Sequence, residues 1–382
     1  MTHDFDEMVN RRGTDSKKYS VYPEDVIPMW IADSDFKAPQ PVVAALVARM
    51  QEGVYGYTPV SSRLKAAAAG WQKERFGWEA DKSWAEYVPG VISGVISAVR
   101  ALSHPGDNIV IQTPCYPPFT DLSEHNGRHL LRNELVLTDG RYEIDFEDFE
   151  KKCGDPRTKL FILCNPQNPT GRVFTREELT RLGRICMDNH VTVLADEIHC
   201  DLVYQGFKHI PFAGISKEFE QHSVTFMNPS KTFNLPGFRT AAFIAANPVL
   251  KNAVHDIVVN NKAIGENICG TIAFCTAYEE CAYYVDQMVE YLEANRDLVE
   301  NTLRDVKGIQ VVHAEGTYLL WLDCRGLGMN QARLDQFFVE TVKLGLNSGS
   351  TFGPEGSGFL RMNIACPKAT VEEALKRIME AL

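Results

Sequence analysis

The sequence predicts an α/β protein with a mostly parallel central sheet and a smaller α+β domain towards its C-terminal end. Three observations predict it. Short, almost unbroken apolar runs recur through the middle of the chain, helical patterns separate them, and the texture changes from about residue 285. Apolar runs of this kind belong in a parallel sheet covered on both faces. At 382 residues the chain is long enough for two domains and a large core.

Residues 1–45 are rich in turn residues and aromatics and show no sheet rhythm. They are read as a segment packing on the smaller domain or on a partner subunit. A large domain then spans 46–284. In it, Val91, Ile92, Val95, Ile96, Val99 and Leu102 mark a helix opened by Pro89-Gly90. Residues 108–112, 159–164 and 191–195 read as buried strands, with 224–227 and 241–245 as further candidates. Between two of them, residues 176–190 carry Leu179, Leu182, Ile185, Cys186 and Met187 at helical spacing after a glutamate-rich first turn. The small domain, 285–382, takes in most of a long helix over 283–305 and strands near 308–313 and 317–323. It ends in a helix with Thr370-x-x-Glu373 as a capping box.

Composition narrows the class. Hydrophobic content of 45% and charged content of 23% are those of an ordinary soluble globular protein, and the net charge of -11 argues against a nucleic-acid partner. No apolar run approaches the ~20 residues of a membrane span, and the first residues lack a signal-peptide pattern. The ten cysteines are scattered, without CxxC or Cys/His ligand spacing. That excludes a recognisable metal set and suits a reducing cytoplasm.

Candidate chemistry gathers after the strands, where α/β proteins place ligands. Asp196 closes the 191–195 run, and Ser230-Lys231-Thr232-Phe233-Asn234 follows the 224–227 run. The pair suits pyridoxal phosphate: a lysine to take the aldehyde as a Schiff base, and a carboxylate to keep the pyridine nitrogen protonated. Each residue also has a plain reading, Asp196 as a helix cap and Lys231 as a surface charge. Pro229, Ser230, Thr232 and Asn234 form a polar turn suited to phosphate oxygens, and Arg239 is a nearby cation able to lower the lysine pKa. Gly90 and Gly94 open a helix N-terminus that favours an anion. Asn168 suits the cofactor's phenolic oxygen or simply a rigid loop, Tyr116 the ring face or a core gap, and His199 either that oxygen or a core position. Arg361 interrupts an apolar run, as a structural ion pair or as a carboxylate clamp. The aromatic segments 29–36 and 53–58 are open to plain packing.

Taken together, Arg11-Arg12-Gly13-Thr14, residues 29–36, 53–58, 116–119, 165–171, 196–201, 230–234 and 359–367 resemble fold-type I pyridoxal-phosphate enzymes of the aminotransferase class I/II superfamily. They are most similar to its MalY/PatB group of cysteine-S-conjugate (cystathionine) β-lyases. The resemblance covers nearly the whole chain. It implies Lys231 as Schiff-base lysine, Asp196 as pyridinium partner, Asn168 and His199 beside the phenolic oxygen, and Tyr116 as stacking ring. The Val91 and Ile92 amides, Ser230 and Arg239 would hold the phosphate. Arg361 would bind the substrate carboxylate with the Ala32 backbone nearby. Tyr57 would reach the phosphate of a partner subunit, which implies a homodimer with shared sites.

Two departures stand out: Asn228, where many aminotransferases carry serine, and Arg239, an aminotransferase-like feature. The expected reaction is cleavage of L-cystathionine or a related S-conjugate to thiol, pyruvate and ammonia. Transamination between an amino acid and a 2-oxo acid is the alternative, and a non-catalytic regulator on the same fold the third reading.

Overall fold

The computed structural model describes residues 2–263 and 265–382. Its main sheet has seven strands in the order Ala85–Val88, Ala241–Ile244, Ser223–Met227, Thr192–Asp196, Thr158–Cys164, Asn108–Thr113 and His129–Glu134. The last five run parallel, and Ala241–Ile244 runs antiparallel to both its neighbours. The reason is connection length. The short link after Met227 contains the Lys231 loop and no crossover helix, so the chain returns antiparallel.

The central strands are buried from end to end, as their apolar sequences require. Helix Val91–Leu102 covers one face with Val91, Val95, Ala98 and Val99. Its Gly94 lies so close to the sheet that an added Cβ would meet Phe226 and Val88 at 3.0 Å. Helix Arg176–Asp188 covers the other face, and a capping box formed by Thr175 and Glu178 fixes its start.

A second, antiparallel sheet has the order Gln310–Val312, Leu319–Asp323, Phe359–Asn363, Asn347–Ser348. It packs with helices Ala282–Leu303 and Lys368–Ala381. The N-terminal segment adds Ile27–Pro28 alongside Leu344–Gly345, and Met29 O accepts from Asn363 N at 2.8 Å. Residues 27–36 are thereby carried past the end of the second sheet towards the first.

The expected capping box at Thr370 does not form. The terminal helix starts at Lys368 with Pro367 as its cap, so Thr370 already lies in the first turn. Its hydroxyl turns to Met8 Sδ at 3.8 Å. Proline's fixed φ suits a helix entry, which moves the start ahead of the local motif.

Candidate active site

A cavity of about 380 Å³ opens at the carboxyl ends of the parallel strands. Asp196 is the last residue of its strand and pairs in register with Cys164 on one side and Phe226 on the other. Its Oδ1 accepts from Ile198 N at 3.1 Å. Burial nevertheless pushes the carboxyl up to about 7; that bond and the nearby Lys231 charge hold it down, and Glu197 adds to the rise. A buried carboxylate with one backbone donor suits a cationic N–H partner placed in the cavity.

Lys231 faces the same cavity, and its Nζ donates to Ala32 O at 2.6 Å. Burial and then the Arg361 charge lower the amine to about 8, against the pull of Asp33 and Asp196. The depressing cation is therefore Arg361, where the sequence had pointed to Arg239. An amine so placed is partly neutral near neutral pH.

Arg361 sits mid-strand in Phe359–Asn363, buried, with Trp321 and Asn347 opposite it on the flanking strands. Its Nη1 donates to Asn168 Oδ1 at 2.9 Å and its Nη2 to Trp30 O at 2.8 Å. The guanidinium carbon lies 4.8 Å from the Phe352 ring centroid, and Nε is buried without a partner. Burial lowers the guanidinium to about 10, which leaves it charged at neutral pH. No carboxylate neutralises it within salt-bridge distance among the described residues. The geometry is that of a cation awaiting an anion.

Asn168 is held by its loop. Gln167 donates to Pro114 O at 2.7 Å and accepts from Thr170 N at 2.9 Å. Gly171 takes φ 74, and an added Cβ would meet Ala314 at 2.9 Å, so the loop lies tight against the entry to the second sheet.

Tyr116 and His199 line the cavity. Burial, then the Asp196 charge, raises the Tyr116 phenol and keeps it protonated. Burial, then the charges of Lys231 and Arg361, lowers His199 well below its usual value, so the imidazole is neutral. Its Nδ1 has no hydrogen-bond partner.

On the same cavity, Val91 and Ile92 begin a helix whose cap residue Gly90 has φ 102. First-turn amides there are free to bind an anion. Ser230 and Arg239 line the same cavity. The rest of the expected phosphate turn is used elsewhere. Thr232 Oγ1 donates to Asp201 Oδ2 at 2.8 Å, and the Asn234 amide binds residues 34 and 36. Asn228 Oδ1 accepts from Ser230 N at 2.8 Å, so it braces the turn.

Tyr57 is fully exposed and does not line this chain's cavity. Ala32 lines it and supplies the carbonyl bound by Lys231. Sequence reasoning did not find Cys164, Ile198 or Pro236 on the cavity, nor Trp30 and Phe352 around Arg361. Cys164 and Ile198 adjoin residues it did find, whereas a carbonyl such as that of Trp30 leaves no signal in sequence.

A model of the family described as aminotransferase class I and II matches residues 25–378. Cystathionine beta-lyase PatB of Bacillus subtilis is 40% identical over 384 residues, covering 99% of each chain. Cystalysin of Treponema denticola, whose structure contains a pyridoxal 5'-phosphate cofactor, superposes with a TM-score of 0.96 at 31% identity. That match covers 100% of this chain and 99% of cystalysin. The pyridoxal-phosphate-bound C-S lyase of Staphylococcus hominis matches at 0.93 and 31%, covering 100% and 98%.

Proposed function

We infer the reaction from a plain premise: the chain belongs to the aminotransferase class I and II family, and within it to the PatB/MalY-type cystathionine β-lyases. It is a pyridoxal-phosphate-dependent carbon–sulfur β-lyase, which with one water cleaves L-cystathionine or a related cysteine S-conjugate to a thiol, pyruvate and ammonia. One observation carries this reading on the chain itself. Asp196, ending one parallel strand, and Lys231, in the loop after its neighbour, line one cavity with Asn168, which bonds Arg361.

The residues present fit the cofactor. Asp196 is a buried carboxylate with one backbone donor, and the helix at Val91 offers free amides beside Ser230 and Arg239. Bound there, pyridoxal phosphate supplies an aldehyde for amino groups and a ring that draws electrons from Cα.

We assign the roles that the family resemblance implies, with the lining of one cavity as support. Asp196 would hold a proton at the ring nitrogen, Tyr116 would face the ring, and Asn168 and His199 would serve the phenolic oxygen. The Val91 and Ile92 amides, Ser230 and Arg239 bind the phosphate. Arg361 takes the substrate carboxylate, with Asn168 and the Ala32 backbone beside it. Lys231, as neutral amine, removes the Cα proton and returns a proton to the leaving sulfur.

We assign Tyr57 to the phosphate of a partner subunit in a homodimer. In support, Tyr57 is exposed, as are the apolar Val47, Val54 and Tyr55 near it in sequence. We further divide the chain into an N-terminal segment 1–45, a large domain 46–284 and a small domain 285–382. The two sheets lie on either side of the start of helix Ala282–Leu303, in keeping with that division. A cytoplasmic location suits ten unpaired cysteines.

Arg239 on the cavity favours one second reading, transamination. Both are tested by incubating the holoenzyme with L-cystathionine, and separately with an amino acid and 2-oxoglutarate. Equal amounts of thiol and pyruvate are expected. Glutamate formed faster than thiol would sink the lyase reading.

A further inference from the structure

Residues 32–36 of the N-terminal segment pass between the Lys231 loop and the strand carrying Arg361. One side chain uses its whole carboxamide on them. Asn234 Oδ1 accepts from Ser34 N at 3.3 Å, and its Nδ2 donates to Ser34 O at 3.0 Å and Phe36 O at 2.8 Å. On the same segment, Ala32 O accepts from Lys231 Nζ at 2.6 Å and from the Tyr318 hydroxyl at 3.2 Å. The acceptor of the Lys231 amine thus belongs to a segment that Asn234 ties to the lysine's own loop.

The residue type fits this task. Asn234 holds φ 56, in the left-handed region that asparagine enters more readily than most residues. Glycine takes that conformation but has no amide, and aspartate has no donor for the two carbonyls. The outer side of the segment is tied separately. Arg11 donates to Ser34 O at 2.9 Å and to Asp35 Oδ1 at 2.7 Å, and buried Lys18 donates to Asp35 Oδ2 at 2.8 Å. Asn363 Nδ2 also donates to Ile31 O at 2.6 Å and to Asp33 O at 2.7 Å, on either side of Ala32. Removing the Asn234 amide therefore detaches the segment from the Lys231 loop while these other ties keep it folded.

We propose that Asn234 is a positioning residue: by fixing residues 32–36 against its own loop, it keeps Ala32 O where the free Lys231 amine rests between proton transfers. The proposal rests on the reading of Lys231 as proton carrier. A loop residue with a structural role alone would change stability and leave the amine untouched.

The test compares Asn234→Gly, which keeps the left-handed turn, and Asn234→Asp, which keeps the acceptor for Ser34 N, with wild type. In the holoenzyme, kcat for thiol release is expected to fall about tenfold or more while KM stays within about threefold. In the full chain freed of cofactor, an amine-directed acylating reagent is expected to label Lys231 about threefold faster or more, because its acceptor no longer holds it. Folded variants with wild-type kcat and labelling overturn the proposal, as does a loss confined to KM. Should both variants fail to fold, amide exchange in wild-type holoenzyme decides. A protected Ser34 amide supports the tie, and exchange at the rate of an open loop overturns it. Lys231→Ala separates the two readings. If it keeps thiol release, the reading of Lys231 fails; if it abolishes release while both Asn234 variants match wild type, the positioning role alone fails.

Discussion

Arg361 Nη1 donates to Asn168 Oδ1 at 2.9 Å, joining a buried cation of the second sheet to a loop of the first across 193 positions of sequence. The bond leaves further guanidinium N–H groups for a substrate carboxylate. It also makes the clamp depend on how the two sheets dock.

Truncating the clamp should act on binding. For Arg361→Ala, KM for the amino-acid substrate is expected to rise about 100-fold, with a smaller loss in kcat, since a buried ion pair with the carboxylate is worth several kcal/mol. Asn168→Ala should raise KM less, because the cation remains. Steady-state kinetics check both, and an unchanged KM in Arg361→Ala would remove the assignment.

The pH profile follows from the lysine. Its amine, lowered to about 8, must be neutral to react, so acylation of Lys231 in the cofactor-free chain should rise with pH along a limb centred near 8. Arg361 is the charge that lowers it most after burial. Arg361→Ala should therefore move that limb to higher pH. A limb that stays in place or moves to lower pH contradicts the charge coupling.

Asp196 links catalysis to stability. Its folded-state pKa, about 7, lies above the ordinary carboxyl value of 3.8. The stability this provides is complete below the unfolded pKa and is lost as pH rises through the folded one. Between about pH 4 and pH 7 the cofactor-free chain should lose stability, by up to about 4 kcal/mol. Asp196→Asn should thus raise Tm of the cofactor-free chain at pH 8 and leave it little changed at pH 4, while kcat of the holoenzyme falls about 100-fold or more. Calorimetry at the two pH values checks the first effect.

Glu315 holds the junction beneath the Asn168 loop. Its buried carboxylate accepts from Arg172 Nε at 3.1 Å, Arg141 Nε at 2.7 Å and Val173 N at 2.8 Å. Glu315→Ala leaves buried Arg172 with one carboxylate, Glu178, in place of two. A loss of about 3–5 kcal/mol is expected, read by urea denaturation.

Tyr57 tests the proposed sharing of sites between subunits. Tyr57→Ala should leave a dimer by sedimentation yet weaken cofactor retention about tenfold, measured by dialysis and absorbance. A monomeric wild-type holoenzyme would contradict the assignment to a partner's phosphate.

The legibility of the fold varied with burial. The runs at 108–112, 159–164, 191–195 and 224–227 were readable because both faces of those strands are covered. The edge strand His129–Glu134 is largely half-exposed, and its mixed sequence gave no signal. The strand at 241–244 was readable as a strand, but its direction was not, because direction depends on the length of the connection. Thr370-x-x-Glu373 misled for a related reason: a local motif was outweighed by the proline three residues earlier.

The site divides along the same line. Asp196, Lys231, Asn168 and Arg361 were named from sequence because a polar side chain at the end of, or within, an apolar run is conspicuous, and side-chain chemistry belongs to the residue itself. The carbonyls of Ala32 and Trp30, the ring of Phe352 and the turn of Asn234 towards residues 34 and 36 came only from the folded chain. A backbone carbonyl is the same in every residue. Which one receives a given donor is decided by how segments some 200 or more positions apart are docked in the folded chain. Periodicity and residue type, being local properties, carry no record of that docking.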